Sequence, residues 1–344
     1  MSHKITIKRS GHEFFAEAGE SILQAALREG HPLPYGCRNG NCGSCIGKVL
    51  EGEIRYPGDT PPGIGSREQA EGKALFCQAL PITDVVIEAR EVNAPRDVEI
   101  RTLPARVVGM QRLAPDVMRL YLKLPATERL QFLAGQYVDI LLRDGRRRGF
   151  SLANAPHNDE CLELHVRQVP GGRFTTQVFE QMKEKAILRF QGPLGSFFLR
   201  EDSLGPIIMM GGGTGFAPLK AILEHAFHIG VSRPIHLYWG ARARRDLYLH
   251  ELPEAWAEQH ANFRYTPVLS EPSPEDHWQG CTGFVHQAVL EDYPDLSGHE
   301  IYMSGPPPMI EAAKEGFLTR GLPEEHLYYD SFEFSVDAPG EKKG

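Results

Sequence analysis

The 344-residue chain has no apolar run approaching the ~18 residues that a membrane span requires. It has no excess of positive charge either. Lys and Arg number 37 against 45 Asp and Glu, for a net charge of −8, which argues against nucleic acid as a partner. Its 35 glycines and 26 prolines follow no fixed period, so a fibrous repeat is excluded. With 41% hydrophobic and 24% charged residues, the chain is not a disordered tail. The opening MSHKITIKRSGHEFF carries charge without an apolar stretch, so no signal peptide is expected. The expected location is cytoplasmic, with no membrane partner. In that compartment six cysteines read as metal ligands or free thiols rather than disulfides. The length predicts two or three domains.

Three cysteines crowd into YGCRNGNCGSC: Cys37, Cys42 and Cys45. Cys77 follows 32 positions later in ALFCQA. The order C-x4-C-x2-C with a distant fourth is the plant-type [2Fe–2S] spacing. Two irons need four thiolates, and a negative cluster needs N–H donors around its sulfurs. Gly36, Gly40, Gly43 and Gly47 interleave these ligands and let the backbone wrap closely. A structural zinc ribbon, the competing reading, uses two C-x2-C pairs, and only one is present. Cys161 and Cys281 read as isolated thiols. Around the cysteines, Lys4 to Lys8 alternates as a strand, Gly11-His12 turns it, and Phe14 and Phe15 continue a hairpin. Glu20-Ser21 opens a helix with Ile22, Leu23, Ala26 and Leu27 on one face, which Pro32 and Pro34 are expected to stop. Residues 59–73, polar and rich in Pro and Gly, read as a surface loop. Up to about Glu91 this stretch resembles a plant-type ferredoxin, which implies an α+β β-grasp fold.

From Val92 to Pro104 the chain reads as a linker. Strand-like runs then begin at residues 105–108, 117–124 and 137–142, spaced as in a small antiparallel barrel. Two constellations follow. Arg148-Gly149-Phe150-Ser151-Leu152 leaves an apolar strand with a permanent charge suited to phosphate. His165-Val166-Arg167 leads to Gly171-Gly172-Arg173-Phe174-Thr175, a glycine turn into a helix read as starting at a threonine, where bare amides face an anion. Farther on, the apolar run 206–210 meets Gly211-Gly212-Gly213-Thr214-Gly215, then a helix with Leu219, Ile222, Leu223 and Ala226 on one face. Strand, glycine loop and helix N-terminus suit a nucleotide pyrophosphate. No G-K-[ST] follows, so this is not a P-loop. Strands at 235–240 and 300–303 lead to Arg242, Arg244 and Arg245, and to Ser304-Gly305-Pro306-Pro307-Pro308-Met309. Strands alternating with helices predict a parallel sheet with ligands at its carboxyl ends.

Together these segments resemble the ferredoxin–NADP reductase superfamily, in the order of its single-chain oxygenase reductases: ferredoxin, FAD-binding barrel, NAD(P)H-binding α/β domain. The runs LPYGCRNGNCGSC and HLYWGARARRDLYLHELPEAW look most like the reductases of CDP-6-deoxyhexulose dehydrases. The implied domains are 1–93 for the ferredoxin, 94–103 for a linker, 104–201 for FAD and 202–336 for NAD(P)H, with a flexible tail at 337–344. The resemblance implies that Cys37, Cys42, Cys45 and Cys77 hold the cluster. It implies flavin contacts from Arg148, Phe150, Ser151, Leu152, His165, Val166, Arg167, Gly172, Arg173, Phe174 and Thr175. Phe150 and Thr175 stand where relatives carry Tyr and Ser. Coenzyme contacts are implied for Gly212, Gly213, Thr214, Gly215, Arg242, Gly305 and Pro306. Ser304 stands where relatives carry a cysteine against the nicotinamide. The segment 328–332, ending in Phe332, resembles a tail that reaches back to the flavin, with a plain edge strand as the equal alternative. Ser151 and Ser304 are the implied catalytic positions.

The implied reaction is hydride transfer from NADH to FAD, then single electrons through the cluster to a partner protein, an oxygenase or dehydrase component. A flavin must lie between a two-electron donor and a one-electron acceptor. None of the 14 histidines is assigned a catalytic role. NADH is preferred, and the three arginines after the second strand keep NADPH as the alternative. The competing functions are a stand-alone reductase of a small acceptor such as a quinone or free flavin, and a non-catalytic electron-transfer module.

Overall fold

A computed structural model describes residues 2–92 and 98–332. The implied tail 337–344 lies outside the described residues, as does most of the first half of the linker. The chain divides into two compact units, Met1–Val98 with Gly195–Phe197, and Glu99–Leu194 with Phe198–Gly344.

In the first unit, alternation produces β1 (His3–Ile7), with Ile5 and Ile7 fully buried, and a turn leads to β2 (Glu13–Ala16). Helix α1 (Ile22–Arg28) begins with a reciprocal cap: the Ser21 hydroxyl accepts the Gln24 N–H, and the Gln24 side chain accepts the Ser21 N–H. The helix ends before the expected prolines. Gly30, at φ +79°, donates to Leu27 O, and the next residue, His31, donates to Ala26 O at 2.8 Å. This left-handed closure stops the helix ahead of Pro32. Then come β3 (Ile46–Glu51), β4 (Ile54–Arg55), α2 (Ser66–Ala70), β5 (Lys73–Leu75), β6 (Leu80–Pro81) and β7 (Val85–Glu88). The short α2 corrects the reading of 59–73 as a loop. It has no buried residue and so no apolar stripe to reveal it, and Glu68 caps it by accepting the Gly65 N–H. The sheet runs β2-β1-β7-β3-β5, with β1 and β7 parallel. Ile22, Leu23, Ala25 and Ala26 of α1 join Ile5, Ile7, Phe14 and Phe76 in one core, the β-grasp arrangement.

The second unit opens with β8 (Arg101–Ala114), which starts inside the segment read as linker. It is followed by β9 (Val117–Lys123), β10 (Tyr137–Leu141), β11 (Arg147–Ser151), β12 (Leu162–Arg167), α3 (Arg173–Glu180) and β13 (Ile187–Leu194). These strands form an antiparallel sheet in the order β11-β10-β13-β8-β9-β12. A bridge between Leu152 and Leu164 joins its two edges, closing a barrel around Val107, Leu120, Val138, Leu164 and Phe190.

Next come β14 (Ile207–Gly212), α4 (Phe216–His228), β15 (Ile235–Ala241), α5 (Glu251–Gln259), β16 (Phe263–Leu269), β17 (Cys281–Thr282), α6 (Val285–Asp292), β18 (Glu300–Gly305), α7 (Pro307–Thr319) and β19 (Leu327–Ser331). They build a parallel sheet ordered β17-β16-β15-β14-β18-β19. The chain winds outward from β14 in one direction and returns to its other side with β18. The carboxyl end of β14 is therefore the switch point where such sheets bind ligands.

His236 on β15 is buried in this sheet, with its ring nitrogens against Tyr293 OH at 2.9 Å and Thr266 Oγ1 at 2.8 Å. Burial, aided by the nearby Arg264 charge, pushes its pKa down to about 4. The unfolded chain protonates near pH 6.5, so stability is lost as the pH falls from there toward 4. The loss attributable to this histidine is about 2 kcal/mol by about pH 5. Urea unfolding of His236→Gln should show a flatter pH dependence over that window. An unchanged slope would rule the histidine out.

Candidate redox site

The four clustered thiols are drawn together by sheet pairing. β3 runs antiparallel to β5 with Ile46 opposite Leu75, so Cys45, just before β3, meets Cys77, just after β5. The Phe76 N–H donates to Cys45 O at 3.1 Å, and the Gln78 amide donates to Arg38 O at 2.9 Å. The Cys42 N–H points at Cys37 Sγ at 3.3 Å, and the Cys37 N–H at Cys42 Sγ at 3.4 Å. The Cys37 thiol is pulled down to about 7, first by its hydrogen bond with Cys42 and further by backbone N–H groups of Asn39, Cys42 and Asn41, which outweigh burial. Cys77 is also lowered, first by Cys45 and then by the Gly40 N–H, while the partners Cys42 and Cys45 are pushed up by the same sulfur contacts and by burial. All four thiols are free, and three are buried. Buried sulfurs ringed by N–H donors fit an anionic iron–sulfur group. Gly40 and Gly43, at φ +84° and +77°, give the loop its curl. Gly47 does not belong to that wrapping. It lies in β3, where a Cβ would sit 2.2 Å from the Phe76 ring.

In the second unit, the residues read as flavin contacts fall on β11, β12 and the start of α3, beside the glycine loop. Their side chains divide into two sets. Leu152, Val166 and Phe174 are buried in the barrel core, so only their backbone is free to face a ligand. The His165 ring is fully used: Nε2 meets Glu163 Oε1 at 2.8 Å, and Nδ1 meets Tyr248 OH at 3.0 Å. Phe150 lies 5.3 Å from the Phe174 ring and is partly exposed. Ser151 donates its hydroxyl to Asp330 Oδ2 at 3.0 Å. The segment 327–331 is thus the last edge strand and also reaches the Arg148–Leu152 motif. Phe332 donates its N–H to Gly305 O at 2.9 Å. Helix α3 starts at Arg173, not at a threonine. The Thr175 hydroxyl turns back on its own loop, accepting the Val169 N–H at 3.2 Å and donating to Gly172 O at 3.1 Å. Arg148 lies in β11, with Nη1 donating to Arg147 O at 2.7 Å. Arg173 is exposed.

Arg167 is the residue best placed for an anion. Its Nη2 is buried without a hydrogen-bond partner among the described residues, and Nε has only a 3.4 Å ion pair with Asp116. A Cβ on Gly213 would come within 2.9 Å of Arg167 Nη1, so the glycine loop rests directly on this guanidinium. A half-buried guanidinium with an unbonded Nη2 at the glycine loop fits a phosphate-bearing cofactor.

The loop after β14 is a single 3-10 turn, Gly213–Gly215, leading into α4. Trp239 Nε1 donates to Gly213 O at 2.9 Å, and the Trp239 ring stacks on Phe216 at 4.0 Å. A Cβ on Gly215 would sit 2.0 Å from Ser304 O, so no other residue fits there. Ser304 is fully buried, and its hydroxyl has no hydrogen-bond partner among the described residues. Gly305 closes over Gly212, and Pro306 caps α7. Arg242, Arg244 and Arg245 are exposed beyond the carboxyl end of β15.

The residue patterns do not reveal the buried ionic network behind this loop. Lys220, on the first turns of α4, donates to Ala153 O at 2.8 Å and pairs with Glu163 at 3.2 Å and Glu224 at 2.9 Å. Burial acts to raise the Glu163 carboxyl, but the His165 hydrogen bond and the Lys220 charge hold it below its usual range. Burial keeps His165 neutral by lowering its pKa. Lys220 and Glu163 lie 57 residues apart. The only local signal was a charge inside an otherwise apolar helix face.

Three family models match the chain: a 2Fe-2S iron-sulfur cluster binding domain at residues 5–81, an oxidoreductase FAD-binding domain at 104–199 and an oxidoreductase NAD-binding domain at 209–315. These domains, on this fold, define an iron–sulfur flavoprotein reductase, an NAD(P)H oxidoreductase carrying a [2Fe–2S] cluster and FAD. The chain belongs to the single-chain reductases of the ferredoxin–NADP reductase superfamily. It is 37% identical over 332 residues to the CDP-6-deoxy-L-threo-D-glycero-4-hexulose-3-dehydrase reductase of Yersinia pestis, covering 96% of this chain and 99% of that protein. It is also 37% identical to the reductase component DmpP of phenol 2-monooxygenase from Pseudomonas sp. strain CF600, covering 99% and 97%. The crystal structure of the Amycolatopsis cytochrome P450 reductase GcoB superposes with a TM-score of 0.77 at 36% identity, covering 96% of this chain and 98% of that one.

Proposed function

We propose that this reductase takes hydride from NADH and delivers single electrons to a separate protein, an oxygenase or deoxysugar dehydrase component. The observation that carries this reading is the presence of both ends of the path in one chain: four gathered thiols, and a glycine loop seated on Arg167, whose Nη2 has no hydrogen-bond partner among the described residues. Cys37, Cys42, Cys45 and Cys77 are the proposed cluster ligands. Arg167, Arg148 and the Gly172–Thr175 turn are the proposed flavin-phosphate contacts, with Phe150 against the ring. Gly212–Gly215, Gly305 and Pro306 are the proposed coenzyme cradle. No helix among the described residues is long and apolar enough to cross a membrane, and we place the protein in the cytoplasm.

The bound groups supply the conversion of a two-electron hydride donor into single electrons. The chain's own residues orient, shield and hold charge. Asp330 fixes the Ser151 hydroxyl, Trp239 and Phe216 fix the start of α4, and Lys220 ties α4 to the barrel through Ala153 O. Arg242, Arg244 and Arg245 are exposed at the β15 end, and Asp246 lies 3.9 Å from Arg242, so basic groups for a 2′-phosphate stand there beside one carboxylate. The relatives' domain order favours NADH.

Anaerobic visible titration with NADH and then NADPH tests the reading. Bleaching of flavin and iron–sulfur bands by NADH at lower concentration than NADPH is the expected result. Bands that persist with both would overturn it. Ser304 offers a narrower check. An unpaired buried hydroxyl costs about 1–3 kcal/mol, so Ser304→Ala should raise the stability of the coenzyme-free protein. If the hydroxyl instead serves the coenzyme, the same variant binds NADH more weakly. Equal stability and equal affinity would deny Ser304 either part.

A further inference from the structure

A second cluster of potential metal ligands lies in the first unit, away from the cysteines. His12 comes from the turn between β1 and β2, His31 from the end of α1, and Glu91 from the segment leaving β7. One ligand atom from each lies within 4.8 Å of the others. His12 Nδ1 is already 2.6 Å from Glu91 Oε1. A tetrahedral zinc ion with bonds of about 2.0–2.1 Å needs its ligands about 3.4 Å apart, a spread these side chains span by small rotations.

The three are held in place independently. The His31 backbone is fixed by the left-handed helix closure on Ala26 O, and its ring stacks on Phe14 at 5.4 Å. The His12 ring lies 5.0 Å from the His31 ring, and the His12 N–H donates to Ser10 Oγ at 3.3 Å. Against the opposing effect of burial, Ser10 and His12 beside the Glu91 carboxyl help hold it below its usual range. Val92, next to Glu91, donates its N–H to Pro32 O at 2.8 Å, so the Glu91 and His31 segments are laced together. No lysine or arginine competes for the carboxylate among the ion pairs of the described residues.

We propose that His12, His31 and Glu91 bind a divalent transition metal of the zinc type, with water completing the shell. Two imidazoles and one carboxylate form a donor set suited to zinc and copper rather than to calcium or magnesium. The bound ion would act as a clip. His31 and Glu91 bracket the stretch that carries all four cysteines of the proposed cluster site, so a metal there closes that stretch at its ends. The metal site itself does not depend on the cluster assignment, although the clip's benefit to the cluster does.

Holoprotein with intact visible bands would be dialysed against micromolar zinc, and zinc and iron measured together. One zinc per chain, with iron unchanged, is expected. It should be lost in His31→Gln and Glu91→Gln and kept in His157→Gln, which alters a histidine stacked on His228 elsewhere. Zinc should also slow iron release in urea several-fold in the wild type and not in Glu91→Gln. Absence of zinc, equal zinc in all three variants, or zinc gained only as iron is lost would each overturn the site. One zinc per chain with unchanged iron release would leave the site standing and overturn the clip.

Discussion

Lys220→Met is expected to destabilise the second unit by about 3–5 kcal/mol, because it strands carboxylates that are buried with their counter-charge. Glu163 and Lys220 are 8% and 6% exposed at their side chains. The His165 and Arg119 groups near Glu163 remain, but the bond from α4 to Ala153 O is gone. The kinetic effect should be as large as the thermodynamic one. Helix α4 starts directly from the Gly213–Gly215 turn, and Ala153 follows the Ser151-Leu152 end of the flavin motif. On the proposed assignment of these segments to coenzyme and flavin, Lys220 would set the distance between them, where a shift of about 1 Å can cost about 100-fold in rate. Stopped-flow reduction by NADH should be slowed in Lys220→Met, with iron content unchanged. Urea unfolding gives the stability term. A variant as stable and as fast as the wild type would show the network to be idle. Lys220→Arg, which keeps the charge, should lose less of both.

Cys77→Ala should separate the two ends of the chain's chemistry. Three thiols and a methyl cannot complete the ligand set, so iron should fall to near zero, with loss of the iron–sulfur absorption. Cys77 comes from a different part of the sheet from the other three cysteines, so the 37–45 loop keeps its own backbone bonds. The second unit shares none of these residues and should still be reduced by NADH. Ferricyanide reduction, which draws on the flavin, should survive, while reduction of cytochrome c as a one-electron protein acceptor should collapse. Retained iron would break the ligand assignment. Retained cytochrome c reduction without iron would favour a reductase that bypasses the cluster.

What could be read in advance depended on how local each cause is. The cysteine spacing carries its own chemistry, and the Ser21–Gln24 cap sits in four consecutive residues, so both were legible. Helix α2 was not, because four polar residues and an exposed alanine held by one cap have no apolar period. Strand β16 was missed as well. Pro267 interrupts its pattern, yet the strand tolerates it because β17 pairs only with Val268 and Leu269 on that side. The early stop of α1 was legible in principle at Gly30, but the nearby prolines drew the prediction. The Glu163–His165–Lys220–Tyr248 network had no sequence signal beyond the lone charge of Lys220 in the apolar face of α4, since its members meet only when the barrel and the parallel sheet are packed. Its effect on the His165 reading is instructive: the residue lies in β12 of the barrel, but its ring is committed to Glu163 and Tyr248.

The tightness around Gly215 bears on how such chains are recognised. A side chain at that position would collide with the Ser304 carbonyl whether or not a coenzyme ever arrived. Selection for folding alone would then preserve the glycine signature. A descendant that had abandoned nicotinamide chemistry would go on displaying it, like a keyhole left in a door that no longer locks. In surveys of genomes, activity would be better inferred from polar groups left without a partner inside the protein, such as Nη2 of Arg167, than from the glycines beside it.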